Sequence, residues 1–181
     1  MPESRDSNLV ERLEALATEV RAASRSASVV RLDQVWTGSE DEFPKSLRSD
    51  GLSGLDDIAL IRDHGQTYLY SERHMTHQYA EAAARAECED IRHIIAETVR
   101  ADSATYPRPT SVESFTEPPF RVSRASLNAA VDGISDDPRY ADIQAVLASD
   151  GSRFLFSSHH MDPLYAASLA EWIAVGSLTN L

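Results

Sequence analysis

Leu9, Leu13, Leu16 and Val20 stand four, three and four residues apart, the spacing that lines one side of an α-helix. Asn8 with Glu11 has the form of a capping box. The pattern predicts an amphipathic helix over residues 8–25, with a stripe too short for a coiled coil. The period then changes. SVVRLDQVW alternates as a strand does, with Val30, Leu32 and Trp36 on one side. EDEFPKSLRSDGLSGLDD (40–57) is polar and carries Gly and Pro, so it reads as a surface loop with a helical turn.

Two later stretches are apolar with little polar alternation: DDIALIRDHGQTYLYS and ADIQAVLASDGSRFLFSS. Each reads as strand, turn, strand, buried on both faces. The turns contain His64-Gly65 and Asp150-Gly151, which supply the positive φ that a tight hairpin needs. In the second strands, Tyr68 and Tyr70 oppose Leu69, and Phe154 and Phe156 oppose Leu155. A helical pattern follows each hairpin. Asp162-Pro163 is a strong helix start, and Thr76 takes the Asp162 place in the first copy.

The two stretches resemble each other residue by residue. Gly65 laid on Gly151 puts Asp56 on Asp142, Ser71 on Ser157, His74 on His160, Met75 on Met161 and Tyr79 on Tyr165, with no gap. Chance matches apolar positions readily, but not Gly, Ser, His, Met and Tyr in one register. The sequence therefore predicts a repeated strand–strand–helix unit, at about 56–86 and 142–172. Two such units commonly pair about an approximate two-fold axis into one antiparallel sheet with helical cover. The predicted fold class is α+β, with an N-terminal helix. Residues 1–27 form a helical segment and 28–181 a single domain.

Between the repeats, Ile91, Ile94, Ile95 and Val99 give a helical stripe that Asp90 can cap. Whether this helix continues the one before it or breaks near Cys88 is left open by the pattern. YPRPTSVESFTEPPF (106–120) has four prolines and reads as an extended connector anchored by Phe115 and Phe120. A proline-rich ligand for another protein's groove is the sharper reading of it. RASLNAAVDGI is a short helix with Ser123 as its cap.

Composition narrows the function classes. Hydrophobic residues make up 42% of the 181, enough for a real core. No apolar run has the length of a membrane span, and the acidic N-terminus lacks the form of a secretory signal. A cytoplasmic protein is the expectation. The net charge of −12 repels phosphate backbones and anionic membranes, so neither nucleic acid nor membrane is an expected partner. Cys88 is the one cysteine, which rules out an internal disulfide and a cysteine-based zinc or iron–sulfur site within one chain.

Candidate chemistry gathers where each repeat passes from strand to helix. Four of the six histidines lie there, His74, His77, His159 and His160, beside Ser71, Ser157, Met75, Met161 and Asp162. Three readings apply. In the plainest, His74 and His160 bond to backbone groups at the corner, and Met75 and Met161 are apolar lids. In the second, the helix N-termini hold an anion or small ligand, lined by His74, His160, Ser71, Ser157, Met75 and Met161. In the third, His74, His77, His159, His160 and Asp162 hold a divalent metal. The sequence has no glycine-rich phosphate loop, GxSxG, HExxH or deaminase signature. Ser71–His74 and Ser157–His160 are conceivable nucleophile–base pairs, but no acid is placed by sequence to orient either histidine. The expected function is a non-catalytic interaction or assembly role without a cofactor. The partner is another protein or a second copy, bound through the helix at 8–25. The alternative is metal or small-anion binding at the two His-Met corners, possible in an enzyme.

Overall fold

The computed structural model describes residues 3–38, Phe43 and 55–179, and the side chains among them from Val10 to Gly176. Most of the loop expected at 40–57 lies outside the described residues. The chain divides into two compact units, residues 1–84 and 85–181. Both are α+β, each with its own three-stranded antiparallel sheet.

The first unit opens with helix α1 (Glu3–Arg25). Strand β1 (Val30–Arg31), helix α2 (Leu32–Val35) and the hairpin β2 (Ile58–Asp63) and β3 (Gln66–Ser71) follow. Helix α3 (His77–Ala86) closes the unit. The strand order is β1-β3-β2, so β3 is central and both its edges are paired. Asp63 pairs with Gln66, which leaves His64 and Gly65 as a two-residue turn. Both have positive φ, 49° and 70°, the backbone whose twist matches that of the strands.

Alternation along β3 decides which helix packs where. Leu69 is buried with Leu13, Leu16, Ala17 and Val20 of α1. Tyr68 and Tyr70 point to the other face, where Ala80 and Ala84 let α3 lie close. The sheet is thus covered on both sides, as its lack of polar alternation predicts. The stripe predicted at 8–25 packs on its own sheet: its described members, Leu13, Leu16 and Val20, lie within the core of their own unit.

The second unit begins with α4 (Ile91–Thr105), and Asp90 caps it by accepting from the Arg92 and His93 N–H groups at 3.0 and 3.3 Å. The preceding helix ends at Ala86, so the two helices break around Cys88. Next come β4 (Thr110–Ser111), a 3-10 helix (Val112–Thr116) and α5 (Arg124–Asp132), capped by Ser123 as expected. A 3-10 turn (Pro138–Tyr140) leads to the hairpin β5 (Ile143–Leu147) and β6 (Arg153–Ser157), then helix α6 (Pro163–Thr179). The order is β4-β6-β5. Leu155 faces the cluster of Ile95, Val99, Phe115 and Ile143, whereas Phe154 and Phe156 face Ala166, Ala170 and Ala174 of α6.

Four expectations need correction. The hairpins do not join in one sheet among the described residues. Short strands β1 and β4 take the free edges of β3 and β6 instead. The strand expected over 28–36 is two residues long, because after Arg31 the chain turns into α2 and buries Leu32. Arg31 also reaches back to Asp33, its Nε 3.1 Å from Oδ1. The 106–120 segment is not a purely extended crossing. It lies inside the second unit, where it forms β4 and the 3-10 helix and buries Phe115 against Phe120, rings 5.1 Å apart. Finally, the gapless register is shifted in the outer strand. Asp57, not Asp56, directly precedes β2 as Asp142 precedes β5. The second turn is one residue longer, closing with Ala148 N–H to the Ser152 carbonyl around residues 149–151. Among the described residues, no helix is long and apolar enough to cross a membrane.

Candidate functional site

Ser71 ends β3 and is fully buried. Its Oγ–H donates to Asp57 Oδ2 at 2.5 Å, and its N–H donates to Ser24 Oγ at 2.9 Å. Its carbonyl accepts the N–H groups of His74 and Met75 at 3.0 and 3.1 Å, which tightens the chain into the corner. Asp57 is held from the other side by Arg21, Nε to Oδ2 at 3.0 Å and Nη2 to Oδ1, with Arg73 Nε 3.4 Å away. Arg21 above all, and then Ser71, hold the Asp57 carboxyl well below the usual carboxylate range, against the opposing effect of burial. The corner therefore ties the end of α1, the start of β2 and the end of β3 together.

The second unit contains the same bonds. Ser157 Oγ–H donates to Asp142 Oδ2 at 2.7 Å, and its N–H to Ser103 Oγ at 3.1 Å. The Ser157 carbonyl accepts from His160 and Met161, both at 3.0 Å. Arg100 holds Asp142 through Nε at 3.0 Å and through Nη2, and also reaches Glu97 and the Arg139 carbonyl at 2.8 and 2.7 Å. Arg100 first, and then the Ser157 hydroxyl, lower the Asp142 carboxyl to about 2, against burial.

Each sequence-predicted residue has a definite place. Met75 and Met161 are buried lids, against Tyr70 and Phe156 respectively. His74, His77, His159 and His160 are exposed. His74 and His160 bond to backbone groups at the corner through their own backbone N–H groups, and among the described residues neither ring has a hydrogen-bond partner. His77 Nδ1 lies 3.0 Å from the Tyr70 hydroxyl. Asp162 caps α6 through the Leu164 and Tyr165 N–H groups at 2.9 and 3.3 Å. Thr76 plays that part for α3, accepting the Tyr79 N–H at 3.3 Å.

This geometry does not favour a serine nucleophile, since Ser71 and Ser157 are sealed from solvent and already donate to a carboxylate. Asp142 Oδ2 lies 3.7 Å from Nδ1 of His159, which is 70% exposed and belongs to neither conceived Ser–His pair. Among the described residues, no three His, Cys, Asp or Glu side chains converge to hold a metal ion. The first corner does have an open pocket of about 380 Å³, lined by Ser24, Arg25, Ala27, His74, Met75 and Tyr79 among others.

Sequence reasoning missed Arg21, Ser24, Arg100 and Ser103. A signal was present: Arg-Ala-Ala-Ser at 21–24 and Arg-Ala-Asp-Ser at 100–103 each end on the serine that meets a strand. It also missed the outer side of α6. That helix buries Ala166, Ala170 and Ala174 and exposes Leu164, Tyr165, Trp172 and Val175, with Trp172 73% exposed. Across Pro163–Thr179 Glu171 is the one charged residue, and it is engaged by the Ser149 N–H at 2.8 Å and by the Ser149 hydroxyl.

Residues 89–178, nearly all of the second unit, match the family model described as the YdhW C-terminal domain. No solved structure matches the chain. The chain is 31% identical over 172 residues to the uncharacterized protein YdhW of Escherichia coli (strain K12), an alignment that spans 92% of this chain and 80% of that protein. On that extent of identity, the chain belongs to the YdhW family.

Proposed function

We propose that this protein is a non-catalytic interaction or assembly module of the cytoplasm, built from two copies of one strand–strand–helix unit. The observation that carries the interaction reading is the outer side of α6. A helix usually buries its apolar side and turns charge to water. This one turns a Trp, a Leu, a Tyr and a Val to water. Contiguous exposed apolar surface with an aromatic anchor is characteristic of protein interfaces. The corners support the same view, because their serines and aspartates are consumed by structure. The duplication reading rests on matching strand orders and matching Asp–Ser–Arg–Ser bonds.

The test places a photo-crosslinking side chain at exposed position 167 on α6, in the full chain inside its host. Light should give a discrete protein adduct, and adding Trp172→Asp should remove it. No adduct, or one indifferent to Trp172, sinks the proposal.

A small-anion site is the second reading, favoured by the pocket at the first corner, where Arg25 and His74 bring positive or protonatable groups to an apolar floor. Phosphate titration followed by the His74 ring resonances tests it: a saturating shift lost in Arg25→Ala supports it, and no shift ends it. The divalent-metal alternative predicts stoichiometric metal in protein purified without tag or chelator, which elemental analysis decides.

A further inference from the structure

We infer that the pocket at the first corner binds a small monocarboxylate with an apolar body, its charge met by Arg25 and its body by Ala27, Met75 and Tyr79. The inference rests on the small-anion reading above and names the class of ligand. The pocket holds about 380 Å³, far more than an inorganic anion fills. Small-molecule sites run from about 300 to 1,000 Å³. Its lining divides by chemistry. Met75 is buried, and Ala27 and Tyr79 are half-buried, so an apolar body has surface to cover. The spare polar groups are donors. Arg25 is exposed and, among the described residues, has no hydrogen-bond or ion-pair partner. Ser24 is 2% exposed, and its oxygen accepts the Ser71 N–H at 2.9 Å. Its own proton has no acceptor among the described residues, and a buried donor gains from one. A guanidinium and a hydroxyl proton together call for a charged group that only accepts, as a carboxylate does. The chain's −12 opposes each further negative charge on the ligand, which favours one carboxylate over a multiply charged anion.

The second corner is the internal comparison. Ser103 takes the place of Ser24 and accepts the Ser157 N–H as Ser24 accepts that of Ser71. The residue after it is Ala104 where the first corner has Arg25, and the helix start is Asp162 where the first has Thr76. The shared bonds therefore form without an arginine at that place, so the corner's fold does not account for Arg25. A ligand's carboxylate does. Asp162 puts a negative charge where the first corner has a hydroxyl, which would repel the same ligand. One scaffold thus carries a cationic corner and an anionic one, and the pocket described above belongs to the cationic corner.

The experiment is an NMR titration of the full chain at constant pH, following the His74 and His160 ring resonances. The probe is benzoate. Acetate keeps the charge without the body, benzamide keeps the body without the charge, and inorganic phosphate is the plain anion. Benzoate should shift His74 to saturation, at concentrations about tenfold or more below those of the three comparisons, while His160 stays still. Arg25 is exposed, so Arg25→Ala should keep its circular dichroism. It should raise the benzoate half-saturation about tenfold or more. Acetate or phosphate saturating with benzoate overturns the apolar-body class and leaves the small-anion reading standing. Benzamide matching benzoate, or benzoate indifferent to Arg25→Ala, overturns both. Equal shifts at His160 overturn the assignment to the first corner. No shift with any probe ends the inference and the small-anion reading together.

Discussion

Asp142 shows how much can rest on one carboxylate. Its side chain is 2% exposed and it answers both Arg100 and Ser157. Removing it leaves a guanidinium and a buried hydroxyl short of an acceptor. Asp142→Ala should cost about 3 kcal/mol, read from urea unfolding, the usual scale for breaking one side of a buried pair. The same carboxylate sets an acid limit. Its pKa is lowered from 3.8 to about 2 in the fold, so its contribution is fully present above about pH 4 and is lost as pH falls towards 2. Asp142→Asn should flatten stability against pH in that window. Asp57, lowered further by Arg21 and Ser71, gives the first unit the same sign of dependence. The neighbouring histidine and methionine separate structure from ligand binding. Met161→Ala should cost about 3 kcal/mol, because Met161 is buried against Phe156. His160→Ala, at an exposed ring, should stay within about 0.5 kcal/mol. A large loss of stability from His160→Ala would assign the ring a structural bond that the geometry lacks.

Elements were legible where one local rule decided them. The Leu13–Leu16–Val20 spacing forms a helix that packs where the stripe points. His64-Gly65 forms the two-residue turn, and Tyr68-Leu69-Tyr70 divides between two faces as alternation requires. Elements set by distant partners were not legible. Val30–Arg31 is a strand only as far as Leu69 and Tyr68 are there to pair with it. Thr110–Ser111 is a strand because β6 has an open edge, a fact about residues more than forty positions away. The corner histidines attract attention in the sequence as rare, titratable residues, yet the polar work falls to Asp, Ser and Arg. Those are common on any surface, and only folding shows that Arg21 and Asp57, 36 residues apart, meet.

At the scale of the molecule, each apolar cluster among the described residues is drawn from one unit. Those containing Leu69, Tyr68 and Tyr70 use residues 13–84, and those containing Leu155, Phe154 and Phe156 use residues 88–174. A unit that owns its core can fold on that core. Residues 87–181 expressed alone should therefore give mixed helix–strand circular dichroism and cooperative thermal unfolding. A non-cooperative melt would show that the second unit depends on the first.

The serine at each corner has a consequence for hydrogen exchange. The Ser71 and Ser157 amides donate to the side chains of Ser24 and Ser103, which sit on helices outside the hairpins. Neither amide is released when a hairpin merely frays; the helix must leave as well. In deuterated buffer these two protons should be among the slowest in their units, reporting on the opening of the unit as a whole. Ser24→Ala and Ser103→Ala should each convert one of them into an ordinary strand-end amide, exchanging at the rate of local fraying.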